Sequence, residues 1–591
     1  MHQAKRTALP IILFACVGIA LSTMQGMLSQ VSLGQATITA NGQPARLSGF
    51  PIRLPGAPEG DYTITFPLSV GRIRPARYYI LPDDCLQELF INGVAVHAPE
   101  FPFCDYVRGR TLDLSPYLHA GVNNVRVTIH NGIGDLGLLM HPSFSDIVWL
   151  LPLLLLLVTF AATCFLAVVL LRTPTWIIAS CVVLMLGITL RGYYLFTTPY
   201  WVRGHDTDAH IEYIRYIADH HTLPEPNKGW EFYQPPLYYA LGGLWTDAGR
   251  ATGFTEESIV QSIQWWSFAL SIGSLLLMFR IGVRVFRRDQ RNLIPILLSV
   301  PAFLPSLVFL SARINNDILV TFLEFLAVTL FIEWWHRPSR LVWIATALVT
   351  GLAILTKNNA IVLLPAFTVS LLLQPPLKGK GLWKKKAILA ATACMTVLII
   401  AGWFTVYRSF LGTSQNLIVG NTGNLNGGLR LQNNASYLLT FNPASVLEHP
   451  YNSPWSDEAR RQYFWEYLYR AAFFGEFDFG PEHRTIASFV LFFSLPLCVV
   501  ALYGLFCGFR YRFSAWLPMA QIGLWSLVGH LVFRFSFPFA SSQDFRYSTI
   551  LLAPFSYFLA IGIEGLRHPI LARTALIALE ATIILCVLLI T

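Results

Sequence analysis

The chain has 591 residues, of which 54% are apolar and only 13% are charged. An ordinary soluble domain carries about a quarter charged residues, so this composition excludes a soluble multidomain protein, a disordered protein and a fibrous protein. The formal net charge of +9 is typical of a membrane protein with basic cytoplasmic loops, and no basic run is interleaved with stacking aromatic residues, so nucleic acid is not an expected partner.

The first segment combines two basic residues with an apolar run. Lys5 and Arg6 precede apolar residues from position 8 to position 27, which is the pattern of a signal peptide or a signal anchor. Because no small-x-small cleavage site follows, we expect an uncleaved transmembrane anchor over residues 1–28. In either case the residues that follow are carried across the membrane.

Residues 29–145 have a different character from the rest of the chain. Short runs that alternate apolar and polar residues, such as 62–66 and 124–129, are separated by turn signals such as Asn92-Gly93. Strand-length runs with this punctuation predict a β-sandwich of about 110 residues.

Two stretches of the predicted β-sandwich, 89–94 and 112–127, resemble the galactose-binding-like jelly roll found beside glycoside hydrolases. The resemblance implies a β-sandwich and leaves open whether the module binds carbohydrate or is purely structural. Cys85 and Cys104 also lie in this segment. They would pair in a disulfide if the segment lies outside the cytoplasm, and two unpaired thiols are the alternative.

From residue 147 onward the chain is a series of apolar runs near the ~20 residues that cross a bilayer. These runs predict a polytopic α-helical membrane domain over residues 146–591. Together with the anchor they make about 13 transmembrane helices. The short pair between 341 and 374 could be partly re-entrant. The predicted spans are 147–170, 175–196, 262–283, 292–311, 316–335, 341–356, 359–374, 387–407, 486–508, 514–534, 547–565 and 573–590.

Basic residues indicate the orientation of these spans. With a cytoplasmic N-terminus, nearly every Lys and Arg cluster falls on the cytoplasmic side, as the positive-inside rule requires. This frame places the β-sandwich and two long loops, 197–261 and 408–485, on the opposite face, which in a bacterium is the periplasmic face of the inner membrane. The clusters lie at 284–291, 337–340, 378–386, 510–512 and 567–573.

The first long outer loop begins with two carboxylates and an imidazole at short spacing, Asp206, Asp208 and His210. A carboxylate at this position can act as a general base on a sugar hydroxyl. The three side chains could also share a divalent cation such as Mg²⁺, Mn²⁺ or Ca²⁺. A solvated acidic loop is the third interpretation, because Asp-x-Asp alone has little specificity.

Three further polar clusters interrupt the apolar runs, and all of them fall on the outer face in the predicted frame. They contain Arg313 with Asp317, Lys357, and Arg546. Charged residues at membrane depth usually face a cavity or a partner, so the clusters predict one polar site at the outer boundary. Arg suits bidentate phosphate recognition and Lys supplies a compact charge, although helix-end anchors or ion pairs are the alternative for each residue.

In their order along the chain, these motifs resemble those of GT-C superfamily glycosyltransferases, which include protein O-mannosyltransferases and the aminoarabinose transferase that acts on lipid A. The resemblance covers residues 175–565. It implies transfer of a sugar from a polyprenyl-phosphate donor to a glycan, lipid or protein acceptor. The family's usual acidic pair is Asp-Glu, whereas Thr207 follows Asp206 here, which leaves the base and any metal ligation open. The motifs are Asp206 to His210, 233–239, 311–317, 351–357 and Arg546-Tyr547.

The resemblance implies direct displacement at the anomeric carbon, with inversion. Rival interpretations are a transporter or flippase for lipid-linked sugars, a non-catalytic sugar-binding scaffold, and a transferase that uses diphosphate-linked donors. A transporter would place polar residues near the bilayer midplane, which the predicted frame does not. The implied roles are proton transfer by Asp206 or Asp208, donor phosphate binding by His210, Arg313, Lys357 and Arg546, and substrate binding by Tyr233, Gln234, Tyr238 and Asp317.

Overall fold

The computed structural model divides the chain into two compact units, Met1–Ile178 and Ala179–Thr591. The first is rich in β-strands and the second is almost entirely helical. The structure describes residues 17–590 except 19, 41–45, 49, 51, 98–100, 105–108, 133, much of 144–172, 199, 201–203, 205, 374–380, 412–427, 512 and 514.

The first unit contains two sheets in which every strand pairing is antiparallel. The larger sheet runs in the order Arg46–Ser48, Ala36–Ala40, Gly60–Val70, Gly121–Asn131, Cys85–Ile91 and Val94–Ala95, with Val31–Leu33 paired to Gly60–Val70 and Phe103–Cys104 paired to Cys85–Ile91. The smaller sheet runs in the order Arg110–Asp113, Arg77–Pro82, Gly134–Pro142 and Ile52–Ala57.

A single apolar core takes side chains from both sheets. Along Gly60–Val70 every second residue from Tyr62 to Val70 is buried, because successive side chains of a strand point to opposite faces. The smaller sheet adds residues such as Tyr78 and Leu138 to the same core. The β-rich segment expected from the alternating sequence is therefore present.

Two local features of this unit coincide with sequence signals. Asn92 and Gly93, with φ of 53° and 81°, form the turn between Cys85–Ile91 and Val94–Ala95, as expected for an Asn-Gly hairpin. Cys85 and Cys104 lie opposite each other on paired strands and are joined by a disulfide.

The second unit supplies most of the apolar helices. Within the described part of the chain, eight helices are long and apolar enough to cross a membrane: Thr175–Thr197, Ser258–Val285, Asn316–His336, Leu382–Phe410, His483–Arg510, Trp516–Ser536, Ala540–Gly565 and Pro569–Ile590. Shorter helices are Thr207–His220, Leu237–Ala251, Ile294–Phe303, Pro305–Leu310, Arg340–Thr356, Leu363–Leu373, Ala435–Leu439, Pro443–Glu448 and Phe464–Phe474.

The predicted count of about 13 transmembrane helices thus stays a prediction. The anchor at 1–28 and the span at 147–170 fall largely outside the described residues. The expected span at 292–311 is two helices, Ile294–Phe303 and Pro305–Leu310, separated at Leu304. Leu304 is extended, with φ −64° and ψ 119°, because a residue that precedes proline is disfavoured in the helical region.

A buried arginine compensates for this helix break. Pro305 has no N–H to donate to the carbonyl of Pro301. The guanidinium of Arg191 donates instead to the carbonyl oxygens of Pro301 and Ala302, at 2.7 Å each. Arg191 is 1% exposed, so this buried charge is a structural support of a neighbouring helix.

Candidate active site

Three helix breaks place the polar clusters in one region. The backbone just before the helix Asn316–His336 is extended at Asn315. The helix Arg340–Thr356 ends at Lys357, where the backbone is also extended. Asp544, also extended, precedes the turn of 3-10 helix Phe545–Leu551. Because Asn316–His336 rises about 30 Å and Arg340–Thr356 returns alongside it, Asp317 and Lys357 meet at the same end.

The breaks open onto a polar cavity of about 110 Å³. Segments far apart in sequence contribute to it: the start of helix Thr207–His220, the turn before Leu237–Ala251, the break at Lys357 and the region from 533 to 547. Its lining residues are Asp206, His210, Trp230, Glu231, Tyr233, Gln234, Lys357, Phe533, Phe537, Phe539, Ser541, Ser542, Arg546 and Tyr547.

Two cations face this cavity. Lys357, 7% exposed, forms an ion pair with Asp317, which is 1% exposed. Its Nζ also lies 4.9 Å from the ring centre of Tyr547. Arg546 donates from Nη2 to the Tyr547 hydroxyl at 3.2 Å, and its Nε lies 3.8 Å from Oδ2 of Asp544. Each cation is therefore held near a carboxylate while it borders the open space.

Asp206 stands at the exposed rim of the cavity. It is the residue before helix Thr207–His220 and adopts a left-handed conformation with φ of 52°, which Asp tolerates better than most residues. The indole N–H of Trp230 donates to its Oδ1 at 3.0 Å. This bond orients the carboxylate at the edge of the cavity.

A tight turn brings three further residues to the cavity. The N–H of Gln234 donates to the carbonyl of Glu231 at 3.0 Å, and two prolines then lead into Leu237–Ala251. Gln234 also accepts a bond from the side chain of Asn316 at 3.4 Å, and Arg408 donates to the carbonyl of Tyr233. The turn is thus tied to two other helices.

The second long loop, 408–485, packs against a segment of the cavity wall. The N–H of Leu431 donates to the carbonyl of Pro538 at 2.7 Å, and the N–H of Ala540 donates to the carbonyl of Leu429 at 2.9 Å. These bonds pair the loop with the segment that carries the cavity residues Phe537 and Phe539. The loop is therefore packed beside the cavity in its described part.

Burial controls the charge of two groups in the lining. His210 is buried, and burial followed by the nearby Lys357 charge lowers its pKa to about 3. Its Nδ1 lies 2.8 Å from the Tyr239 hydroxyl. Burial followed by the Asp206 charge raises the pKa of Glu231 to about 8. At neutral pH the imidazole is uncharged and the Glu231 carboxyl largely holds a proton.

Four of the residues selected from sequence do not line the cavity. Asp317 lies behind Lys357 as its ion-pair partner. Tyr238 is buried against Tyr239, with ring centres 5.5 Å apart. The Arg313 guanidinium packs 4.7 Å from the ring centre of Phe477. The remaining residue, Asp208, is exposed on the first turn of its helix.

The expected metal ligands are not assembled. Among the residues that the structure describes, no group of three His, Cys, Asp or Glu side chains could hold a metal ion. His210 is buried against Tyr239, whereas Asp208 is exposed outside the cavity lining. Asp206, Asp208 and His210 are therefore not brought together as a metal site in the described part of the chain, and a shared cation on them stays a prediction.

Sequence reasoning missed Glu231 as a site residue. It lies in the same motif as Tyr233 and Gln234, three residues before Gln234, so its proximity to them was visible. Its orientation into the cavity was not visible, because that depends on the turn that precedes the two prolines.

A second cavity, of about 590 Å³, is almost wholly apolar and lies between helices of the second unit. Phe545, Leu551 and Leu552 line it, whereas the adjacent residues Arg546 and Tyr547 line the polar cavity. One short segment therefore separates an apolar space from the cationic one.

The several apolar helices define a multi-pass membrane protein with a polar candidate active site. Residues 253–403 match the family model described as dolichyl-phosphate-mannose-protein mannosyltransferase. The match confirms the resemblance to the GT-C superfamily for residues 253–403. It includes Lys357 and Asp317 and does not extend to Asp206 or Arg546. No curated protein gives a significant match.

Solved structures give distant similarities. The oligosaccharyltransferase of Archaeoglobus fulgidus in complex with Zn and sulfate is 13% identical, with a TM-score of 0.41, over 69% of this chain and 53% of that chain. The complex of the same organism's AglB with an inhibitory peptide and a dolichol-phosphate is 12% identical, with a TM-score of 0.42, over 69% and 55%. The arabinosyltransferase EmbB of Mycobacterium smegmatis is 12% identical, with a TM-score of 0.34, over 95% and 53%. The chain spans about half the length of these proteins.

Proposed function

We propose that the protein is a glycosyltransferase that moves a sugar from a polyprenyl-phosphate donor to a cell-envelope glycan, lipid or protein. The observation that carries the proposal is the convergence of Asp206, Lys357 and Arg546 on one cavity. A carboxylate that can accept a proton lies opposite two cations that can bind a phosphate. The family match, described as acting with a dolichyl-phosphate sugar, supports a donor of this class.

The proposed reaction is a single displacement with inversion at the anomeric carbon. Asp206 removes the proton from the acceptor hydroxyl, because it is the carboxylate at the open rim where an acceptor can enter. Lys357 and Arg546 bind the phosphate that leaves. Fixed cations in a largely water-free site stabilise developing charge far better than mobile solvent does.

The neighbouring polar residues have positioning and binding roles in this proposal. Asp317 holds the ammonium of Lys357 through the buried ion pair. Tyr233 and Gln234 line the cavity and can bind sugar hydroxyl groups. Because His210 is uncharged, it can orient the phosphate or sugar by hydrogen bonding only. Arg313 and Tyr238 support the walls.

The apolar cavity fits the hydrocarbon part of the donor. It borders the polar cavity along the segment that contains Phe545 and Arg546. A prenyl chain in the apolar space would place its phosphate near the cationic end of the same segment. Burial of hydrocarbon is favourable in a space lined by apolar side chains.

The orientation of the site follows from charge. Asn316–His336 runs from Asp317 to Arg337, and Arg340–Thr356 returns to Lys357, so Arg337 and Arg340 lie at the end opposite the cavity. The positive-inside rule assigns such basic ends to the cytoplasm. We therefore propose a periplasmic site in a bacterial inner membrane, with about 13 transmembrane helices in total.

The domain organisation completes the proposal. Residues 1–28 form an anchor, 29–145 a periplasmic β-sandwich of galactose-binding-like type, and 146–591 the transferase domain. The two sheets that share one core and the disulfide between Cys85 and Cys104 support a sandwich in an oxidising compartment.

The proposal is tested with the full-length protein in lipid nanodiscs. Transfer to membrane acceptors is measured from a panel of polyprenyl-phosphate hexoses and pentoses with radiolabelled sugars. We expect Asp206→Asn to lower kcat at least about 100-fold, the scale of general base catalysis, with normal folding. Glu212→Gln is the matched control, because Glu212 is an exposed carboxylate on the same helix.

Two outcomes would contradict this assignment. Full activity of Asp206→Asn would remove the proposed base, and loss of activity in Asp208→Asn alone would move the role to that residue. If the wild-type protein transfers no sugar from the panel but carries lipid between leaflets, a flippase explains the cavity instead.

A further inference from the structure

A second carboxylate in the cavity has no ion-pair partner among the residues that the structure describes. Glu231 is 4% exposed and lines the cavity. Its Oε2 accepts no hydrogen bond from any residue that the structure describes, and Gln234 hydrogen-bonds to the side chain. A buried ionised carboxylate without a paired charge is costly, so this environment favours the neutral form of the group.

Two other buried carboxylates, Asp317 and Glu466, show what structural pairing looks like in this chain. Asp317 forms an ion pair with Lys357. Glu466, which is fully buried, accepts two hydrogen bonds from Arg460 at 2.9 and 3.0 Å. Glu231 has no comparable arrangement in the described structure, although two cations border the same cavity. Its carboxyl is therefore available to a ligand.

The environments of Asp206 and Glu231 differ in the way that acid and base pairs require. Asp206 is exposed and hydrogen-bonded by the Trp230 indole. Glu231 is buried, and burial with the neighbouring Asp206 charge raises its pKa to about 8. When one carboxyl group of a site is buried and another is exposed, the buried group can donate a proton while the exposed group accepts one.

A proton donor is useful in this reaction because the departing phosphate gains a negative charge. A sugar-linked phosphodiester carries one negative charge, whereas the free polyprenyl phosphate would carry two if it left without a proton. Lys357 is already paired with Asp317, and Arg546 lies 3.8 Å from a carboxylate oxygen of Asp544. The two cations are thus partly neutralised, and one added proton offsets the second charge.

Resting on the proposed function, we propose that Glu231 is the general acid of the transfer and protonates the departing lipid phosphate. The acceptor oxygen forms a bond to the anomeric carbon and its proton passes to Asp206. The bond between that carbon and the phosphate oxygen breaks, and its electron pair stays on the phosphate, which takes the proton of Glu231. Proton exchange with water then returns Asp206 to its ionised form and Glu231 to its neutral form.

The test is the pH profile of kcat with a polyprenyl-phosphate sugar that the wild-type protein accepts. Wild type should lose activity as the pH rises through about 8. Glu231→Gln should lower kcat about 100-fold or more and abolish this alkaline decline, with the KM for the donor changed less than about threefold. Glu231→Asp, which keeps an acidic proton, should retain the alkaline decline at a reduced rate.

The matched control is Glu225→Gln, because Glu225 is exposed in the same loop and pairs with Lys228 at 3.0 Å. It should keep the wild-type rate and profile. An unchanged kcat in Glu231→Gln, or an alkaline decline that persists in it, would overturn the assignment. If Glu231→Gln fails to fold, loss of the alkaline decline in Glu231→Asp would overturn it equally. Absence of transfer by the wild-type protein would contradict the proposed function as well, whereas the other failures concern Glu231 alone.

Discussion

The ion pair between Lys357 and Asp317 allows the catalytic and structural roles of Lys357 to be separated. The pair is buried, with exposed fractions of 7% and 1%. Lys357→Met would leave the Asp317 carboxylate buried without its partner. The double variant Lys357→Met with Asp317→Asn would remove both charges and keep side chains of similar size.

The two variants should differ in stability but not in activity. Removal of one partner of a buried pair costs about 3–5 kcal/mol, and we expect about 3 kcal/mol because the Lys357 ammonium borders an open cavity. The double variant should recover most of this loss, since no uncompensated charge remains. Both should lose activity by about 100-fold, the scale of one preorganised charge-stabilising group, because neither offers an ammonium to the phosphate.

The free energy of unfolding is measured by denaturant titration in mixed micelles, and kcat is measured on the same preparations. Lys228→Met is the control, because its exposed pair with Glu225 should contribute under about 1 kcal/mol. A double variant that recovers activity together with stability would show that Lys357 acts only through the fold. The reasoning about the phosphate would then be refuted.

Two further predictions concern stability. Arg191→Leu should reduce the free energy of unfolding by roughly 2–4 kcal/mol, because the carbonyls of Pro301 and Ala302 would lose the guanidinium that donates to them. An unchanged midpoint of denaturant unfolding would contradict this account of the helix break. Burial and the Asp206 charge raise the pKa of Glu231 from 4.5 to about 8, so its contribution to stability is fully present below about pH 4.5 and is lost as the pH rises through about 8. Glu231→Gln should remove this loss of stability and melt at a higher temperature than wild type at pH 9. If the melting temperatures of the two proteins change in parallel across pH 5–9, the result would argue against a neutral Glu231.

Much of the helical architecture was visible in the sequence, because hydropathy is a local property. Runs such as 316–335 and 573–590 became helices with nearly the expected ends. The polar clusters at Lys357 and Arg546 interrupt such runs, and a break in a helix is encoded where the apolar residues stop. This is why the structure brings several of the selected residues to one cavity.

Three residues selected from the sequence lie outside the cavity lining for one physical reason. Arg313, Tyr238 and Asp208 lie close in sequence to cavity residues, but each points elsewhere. The direction of a side chain at a helix end depends on the rotation of that helix and on what packs against it. Arg191 illustrates the same limit, since its carbonyl partners lie about 110 residues further along the chain.

The sequence by itself determined that this chain uses lipid as a solvent, where the apolar helices run, and which short segments carry charge among them. Composition and periodicity suffice for this, because a residue's preference for water or hydrocarbon does not depend on its distant neighbours. Only the tertiary structure decided that Lys357 pairs with Asp317, that burial lowers the pKa of His210, and that Glu231 lines the cavity with a raised pKa. Ionisation and pairing depend on burial and on charges supplied by other helices, which no local stretch of sequence contains.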